Sequence, residues 1–557
     1  MREDFGPDAA ARRLALLRSC ARLRCKTPAQ LSSLHETLCF SRAYPDNAEV
    51  LGLVDGLLDG WGRRGDVRTF GDTLQGHGMA GVSNRFAFYW PTAHWLAQHW
   101  PQSLHVDWGA LQDDSRIHGL LKLLMPRAES PGLEELPLSV EQWITHLKKG
   151  EESDGTFLVR RFAEAEMDER WREHLFDSLD LPFTLTPGEA SPSRTRARIE
   201  GLPLHFQISA RSSTRPALDE ELSRAPRRIR HVSKIRGEEF VDTAREAMLT
   251  RSRDLEQIAY ANPGDAWLIE DGDGLSFVAL GMLPDRRFVL EATYVYLMVQ
   301  NGVPIGYMQG SGLGGWAEIN FNIFPPWRGR GAALLYARSL AAIHSLQRVT
   351  TFIVDPYQLG DGNEEAIETG AWWFYFKLGF RPLGDTATLE LAMREEERAH
   401  RRSGYRSSSA TLRRLAEQPM IFSAGEAPRF PYGGVGLVGL HASARLSEHG
   451  GGYRRDALER ASDEAAQLLD RRRDVRRELS SRERAAFAEW SAIIVSMPGV
   501  PRWGASKRRA LLDVVRARGA KTERDYIEAL HKAPHVLDAL AKLADHPRPA
   551  RLRVWDR

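Results

Sequence analysis

Residues 316–340 read WAEINFNIFPPWRGRGAALLYARSL. Trp316 to Phe324 is rich in aromatic and β-branched residues, which is the composition of a strand. Pro325-Pro326 stops it, since proline brings no N–H to a ladder. Arg328-Gly329-Arg330-Gly331-Ala332-Ala333 follows, and then apolar residues at three- and four-residue spacing predict a long helix. A strand that turns through glycines into a helix start offers an anion unpaired amides with partial positive charge. Gly329 and Gly331 let the backbone approach a diphosphate closely. Arg328 and Arg330 add fixed charge, while Ala332 and Ala333 keep the helix start narrow.

The surrounding residues, 229 to about 396, alternate helix and strand. EEFVDTAREAMLTR reads as a helix. DAWLIED and LSFVALGM read as strands around the turn Gly272-Asp273-Gly274, and EATYVYLMVQ and VPIGYMQG as strands around Asn301-Gly302. VTTFIVDP is a further strand, and ETGAWWFYFKLGF a helix ending at Gly379. The fold class is α/β, built on a mixed sheet.

Two landmarks give these residues a family likeness. Arg-x-x-Gly-x-Ala at 328–333, with its lead-in Ile323-Phe324-Pro325-Pro326-Trp327, resembles the acyl-CoA loop of the GNAT superfamily of N-acyltransferases. About forty residues on, Tyr375-Phe376-Lys377-Leu378-Gly379-Phe380 is similar to that family's Tyr-x-x-x-Gly-Phe signature. The likeness covers roughly 165 residues. It implies a mixed sheet with splayed parallel strands at 317–324 and 349–355 and a pantetheine arm in the split. Backbone groups near Ile323 and Phe324 would meet that arm, and residues 328–333 would hold the diphosphate. Acetyl-CoA is the implied co-substrate, an amine the acceptor, and no metal is implied.

Direct attack by an amine needs a base, an oxyanion donor and an acid for the leaving thiolate. The likeness puts the acid at Tyr375, whose other reading is a core tyrosine. It puts the base at Glu318, ten residues before Arg328. Burial against Trp316 and Phe321 is expected to raise the Glu318 pKa; a solvated or arginine-paired glutamate is the alternative. Where the family often has an asparagine seven residues before the tyrosine, this chain has Glu368; Asn363 lies five residues earlier and is the substitute candidate for holding the cofactor. Asp361, Glu364, Glu365 and Glu368 form either an acidic rim for a cationic amine or a helix start that favours acids. Trp372 and Trp373 read as a substrate wall or as core. Arg251-Ser252-Arg253-Asp254 reads as a contact for the 3′-phosphate of coenzyme A or as a basic helix end.

The flanks carry no family likeness. Residues 1–150 read as an N-terminal helical domain with an aromatic cluster from Phe86 to Trp100 that suits a core. Residues 151–228 read as a mixed connector, with strands at LPFTLTP and LPLHFQIS. Its segment with Ser191, Ser193, Arg194, Thr195 and Arg196 reads as a solvated loop, with phosphate binding as the alternative. A linker with a glycine-rich loop at 430–440 is expected over 397–452, and a basic helical domain over 453–557. From Arg398 on there are roughly 32 Lys/Arg against about 19 Asp/Glu, although the chain of 557 residues totals only +2. The run Arg471 to Arg477 is therefore either a nucleic-acid stripe or a salt-bridged surface. Cys20, Cys25 and Cys39 with His35 match no common zinc spacing and read as buried thiols. No apolar run is long enough to span a membrane and no export signal is evident, so a cytoplasmic enzyme is expected. Its acceptor would be an amine-bearing small molecule or protein. A non-catalytic acyl-CoA-binding regulator and a nucleic-acid-docked acetyltransferase are the alternatives.

Overall fold

The turn residues account for most of the sheet. Asn301 (φ 49°) and Gly302 (φ 83°) take the left-handed region that a tight hairpin needs, and Gly272 and Gly274 do the same one hairpin earlier. In the computed structural model, which describes residues 4–6, 8–111, 114–384, 386–450 and 453–546, twelve strands form two sheets. A small sheet pairs β1 (Asn84–Ala87), β2 (Leu104–Val106) and β3 (Pro182–Leu185) in the order β1-β3-β2. A nine-stranded sheet takes β4 (Arg228–His231), β5 (Ala261–Gly272), β6 (Leu275–Met282), β7 (Ala292–Gln300), β8 (Val303–Leu313), β9 (Trp316–Ile323), β10 (Thr351–Val354), β11 (Arg381–Pro382) and β12 (Met420–Ser423). Its order is β11-β12-β10-β9-β8-β7-β6-β5-β4. The fold is thus α/β with a large mixed sheet.

From β4 to β9 every neighbour is antiparallel. The helix Ala332–Gln347 then carries the chain across to β10, which runs parallel to β9. This pairing covers only Thr351↔Trp316, Phe352↔Ala317 and Ile353↔Glu318. Beyond Glu318, β9 continues to Ile323 on its β8 side, opposite Gly306–Gly310, and pairs with no strand among the described residues on its β10 side. The helix Lys234–Leu249, capped by Ser233, lies between β4 and β5 in the chain.

The helices Pro28–Ala43 and Ala48–Asp59 share one buried core with this sheet, through Leu38, Phe40 and Val54. A second core, with Trp90, Phe157 and Phe183, surrounds the small sheet. The C-terminal helices Arg454–Leu469, Ser481–Ser496, Ala505–Arg518, Glu523–Lys532 and Pro534–Ala544 build a third around Trp490 and Tyr526, into which Trp316 and Ile353 project from the sheet. Buried polar bonds fasten this third core: Asp265 on β5 accepts from Glu523 N–H at 2.7 Å, and Arg287 donates to Ala520 O and Lys521 O.

Several expectations are corrected. Residues 202–209 form no strand; the Asn301 side chain grips both backbone groups of His205 instead, so no ladder is needed. The glycine-rich 430–440 stretch enters a helix, Gly434–Gly450, because Gly434 lets the chain turn tightly against the Phe430 ring and Val438 is buried. The charged connector holds the helices Thr386–Arg401 and Ser409–Ala416 as well as β12. The helix expected over ETGAWWFYFKLGF breaks at Gly370 (φ 70°) into Glu364–Thr369 and Ala371–Lys377. The 191–196 segment is not solvated: Ser191, Ser193 and Thr195 are buried, and Thr195 Oγ1 accepts from Ala80 N–H and faces His35 Nε2.

Candidate functional site

The parting of β9 from β10 leaves one strand edge without a ladder. Phe324 N–H donates to Ile305 O at 2.9 Å, on the β8 side. Alternation then turns the backbone groups of Phe321 and Ile323 toward the split. Phe321 N–H meets Gln358 Oε1 at 3.2 Å there, and Ile323 O accepts from Arg328 Nε at 2.9 Å. Phe324 therefore spends its amide away from the split. Phe321, expected only as a neighbour of Glu318, and Gln358, which no sequence pattern singled out, face it. A cavity of about 300 Å³ occupies the split, lined by Phe321, Ile323, Arg328, Ala332, Asn363 and Tyr375 among others.

The loop beyond β9 exposes Arg328, Gly329 and Arg330. Gly329 (φ 100°) and Gly331 (φ 84°) both take the left-handed region, and Gly331 caps the helix Ala332–Gln347. Trp327, Arg328 and Ala332 donate their amides to Phe324 O, Pro325 O and Gly329 O. The amides of Gly329, Arg330, Gly331, Ala333 and Leu334 have no acceptor among the described residues. The Arg328 guanidinium is engaged with Ile323 O and with Glu365 at 2.8 Å; the Arg330 side chain points into solvent. Five free amides behind two glycines fit a diphosphate by charge and by access.

Tyr375 stands on the helix side of the split. Its ring packs edge-on against Tyr336, which in turn packs against Phe321. The Tyr375 hydroxyl makes no hydrogen bond with the described residues. Burial first, and the charge of Asp355 second, push its pKa up, so it holds its proton. Glu318 lies on the opposite face of β9, because strand side chains alternate. Trp316 shares that face, whereas Phe321 turns away to Tyr336, so only the Trp316 half of the expected surroundings is present. Burial, then Asp355, raises the Glu318 pKa; a hydrogen bond from Tyr432 Oη at 3.1 Å opposes the rise. Tyr432 stacks edge-on against Trp316. It comes from the stretch that sequence patterns leave as a loop, 114 residues beyond Glu318.

Asn363 lines the cavity but caps the Glu364–Thr369 helix with its oxygen and donates its Nδ2 to Tyr357 O. In the acidic rim, Glu364 pairs with Arg413 and Glu365 with Arg328. Trp372 is fully buried and bonds Leu415 O, and Trp373 bonds Ser407. In the Arg471–Arg477 run, Arg473 pairs with Asp470 and Glu478, and Arg476 with Asp463 and Asp474. Among the described residues no group of three or more His, Cys, Asp or Glu is placed to hold a metal ion, and no helix is long and apolar enough to cross a membrane.

Comparison with known families, with curated proteins and with solved structures finds no match for this chain.

Proposed function

We propose that the protein is an acetyl-CoA-dependent N-acyltransferase of the GNAT type, transferring an acetyl or short acyl group to an amine. The observation that carries this reading is the conjunction of a strand that loses its parallel partner after Glu318 with a two-glycine loop that leaves five amides free directly beyond it. The loop amides of 329–334 would hold the diphosphate of acetyl-CoA, and the strand edge at Phe321 and Ile323 would pair with the amides of its arm. Bound there, acetyl-CoA supplies an activated thioester carbonyl.

The chain's own residues then divide the proton work between two faces. Glu318, on one side of β9, takes a proton from the incoming ammonium or from the attacking nitrogen; its raised pKa brings it nearer to that task. Tyr375, on the other side, keeps its proton at neutral pH and gives it to the departing sulfur. Tyr432 orients the Glu318 carboxylate by its hydrogen bond.

Incubation of cell extract with the full chain and isotopically labelled acetyl-CoA, followed by mass spectrometry, tests the reading: a labelled amide is expected. In Tyr375→Phe, turnover is expected to fall by about 100-fold with coenzyme A affinity kept. Absence of coenzyme A binding in calorimetry would end the proposal.

A further inference from the structure

The Glu318 face of β9 also carries Asn322 and Phe324, and these two form a wall of a cavity of about 420 Å³. Three arginines from distant parts of the chain line it: Arg194 from the buried 191–196 segment, and Arg251 and Arg253 from just past the helix Lys234–Leu249. Arg328 also lines it, already tied to Glu365. His77, Glu36 and Glu365 complete the titratable wall.

Arg194 and Arg251 each keep a buried nitrogen without an acceptor, although the charge of Glu36 attracts Arg194 and that of Glu246 attracts Arg251. The Arg251 guanidinium lies 3.7 Å from the centroid of the Phe324 ring and gives Nη1 to Ala247 O at 2.7 Å, while its Nε is buried with no acceptor. Arg253 donates to the Tyr307 hydroxyl. The Arg194 backbone is pinned to Gly78 O at 2.8 Å, yet its guanidinium makes no hydrogen bond or ion pair with any described residue and its Nε is buried. Burial, followed by repulsion from Arg194, pushes the Arg251 pKa down to about 9. Burial, and then Arg194, also keeps His35 behind the cavity well below its usual pKa. Desolvated guanidiniums with unused donors are costly unless an anion meets them.

We propose that this cavity is a second anion site, adjoining the glycine loop at Arg328, that seats a phosphate- or carboxylate-type group carried by the acceptor. The assignment to the acceptor rests on the acyltransferase reading above. The cavity lies on the Glu318 face of β9 and adjoins the cavity in the split, since Asn322, Arg328 and Glu365 line both, but none of Arg194, Arg251 and Arg253 borders the split itself. Glu318 and Asn322 are four residues apart on one strand, about 13 Å at 3.3 Å per residue. The acceptor is therefore an extended molecule, with its acidic group on the order of 13 Å from its amine.

The test uses the full chain, inorganic phosphate as probe, and the variants Arg194→Gln and Arg253→Gln, whose melting temperatures must match the unaltered protein. Calorimetry is run with and without saturating coenzyme A. Phosphate is expected to bind in both conditions and to weaken at least tenfold in Arg194→Gln, with coenzyme A affinity held within twofold. With labelled acetyl-CoA and paired amines of equal length, with and without a terminal phosphate, the preference for the phosphorylated amine is expected to fall tenfold through KM. Phosphate binding abolished by coenzyme A, or coenzyme A affinity lost in Arg194→Gln, would assign the cavity to the cofactor's own phosphates and overturn the proposal. No phosphate binding at all would overturn it too. Phosphate binding lost in Arg194→Gln from a chain that binds no coenzyme A would support the anion site while removing the acyltransferase reading.

Discussion

Replacing Arg338 by leucine isolates the buried charge that fastens the 332–347 helix to the sheet. Arg338 and Asp271 expose 2% and 4% of their side chains. Arg338 Nε lies 3.1 and 2.9 Å from the two Asp271 oxygens, and its Nη1 also serves Glu221. Without Arg338, the Asp271 carboxylate keeps only the distant Arg224 contact at 3.7 Å, from a side chain more than half exposed. Breaking a buried pair costs about 3–5 kcal/mol, and the residual Arg224 attraction places this case at about 3 kcal/mol. Urea unfolding, read as a shift of midpoint at constant slope, measures it. The double variant Asp271→Leu/Arg338→Leu is expected to recover most of the loss, because two apolar side chains replace a buried pair at little net cost. A single-variant loss below about 1 kcal/mol, the range of exposed pairs, would refute the reasoning, as would a double variant no more stable than the single.

Glu318→Gln is expected to abolish the rising limb of the pH–rate profile, since a base works only above its pKa and this one is raised; Tyr432→Phe removes the bond that opposes the rise and moves that limb to higher pH. Glu246 is half-buried, and loss of hydration is the chief cause that pushes it up to about 7. Its folded pKa exceeds its unfolded one, so its stability contribution is intact below about pH 4.5 and lost as pH rises toward 7. Glu246→Gln is therefore expected to gain up to about 3 kcal/mol at pH 8 and almost nothing at pH 4, by denaturant titration at both values. Gly331→Ala forces a side chain into the left-handed region at the helix cap. A loss of roughly 1–2 kcal/mol and a lower melting temperature are expected, with weaker coenzyme A binding in calorimetry.

What could be read from the sequence was whatever local chemistry dictates. The turns at Gly272–Gly274 and Asn301-Gly302, the strand ending at Pro325-Pro326 and the helix after Gly331 are all encoded within a few residues, and the structure forms each of them. What escaped depends on contacts across the fold. No periodicity announces that Tyr432 reaches back to Glu318, that Gln358 bridges to Phe321, or that Arg194 converges with Arg251. Residues 202–209 alternate like a strand, yet a single asparagine claims the backbone of His205. The glycines at 434–439 argue locally for a loop, at about 1 kcal/mol each against a helix, and packing of that helix outweighs them.

β12 lies outside the 229–396 stretch, yet it covers the β10 flank of the sheet: Thr351 to Val354 pair with Ser423 back to Met420, and Met420 is fully buried. A protein shortened to end at 396 would present Phe352 and its neighbours as a bare hydrophobic ribbon with unmet amides and carbonyls, next to the very opening between β9 and β10. Such a ribbon recruits any free strand, including one from a second molecule. Shortened forms ending before residue 420 lack β12 altogether and are therefore expected to associate or precipitate through that ribbon.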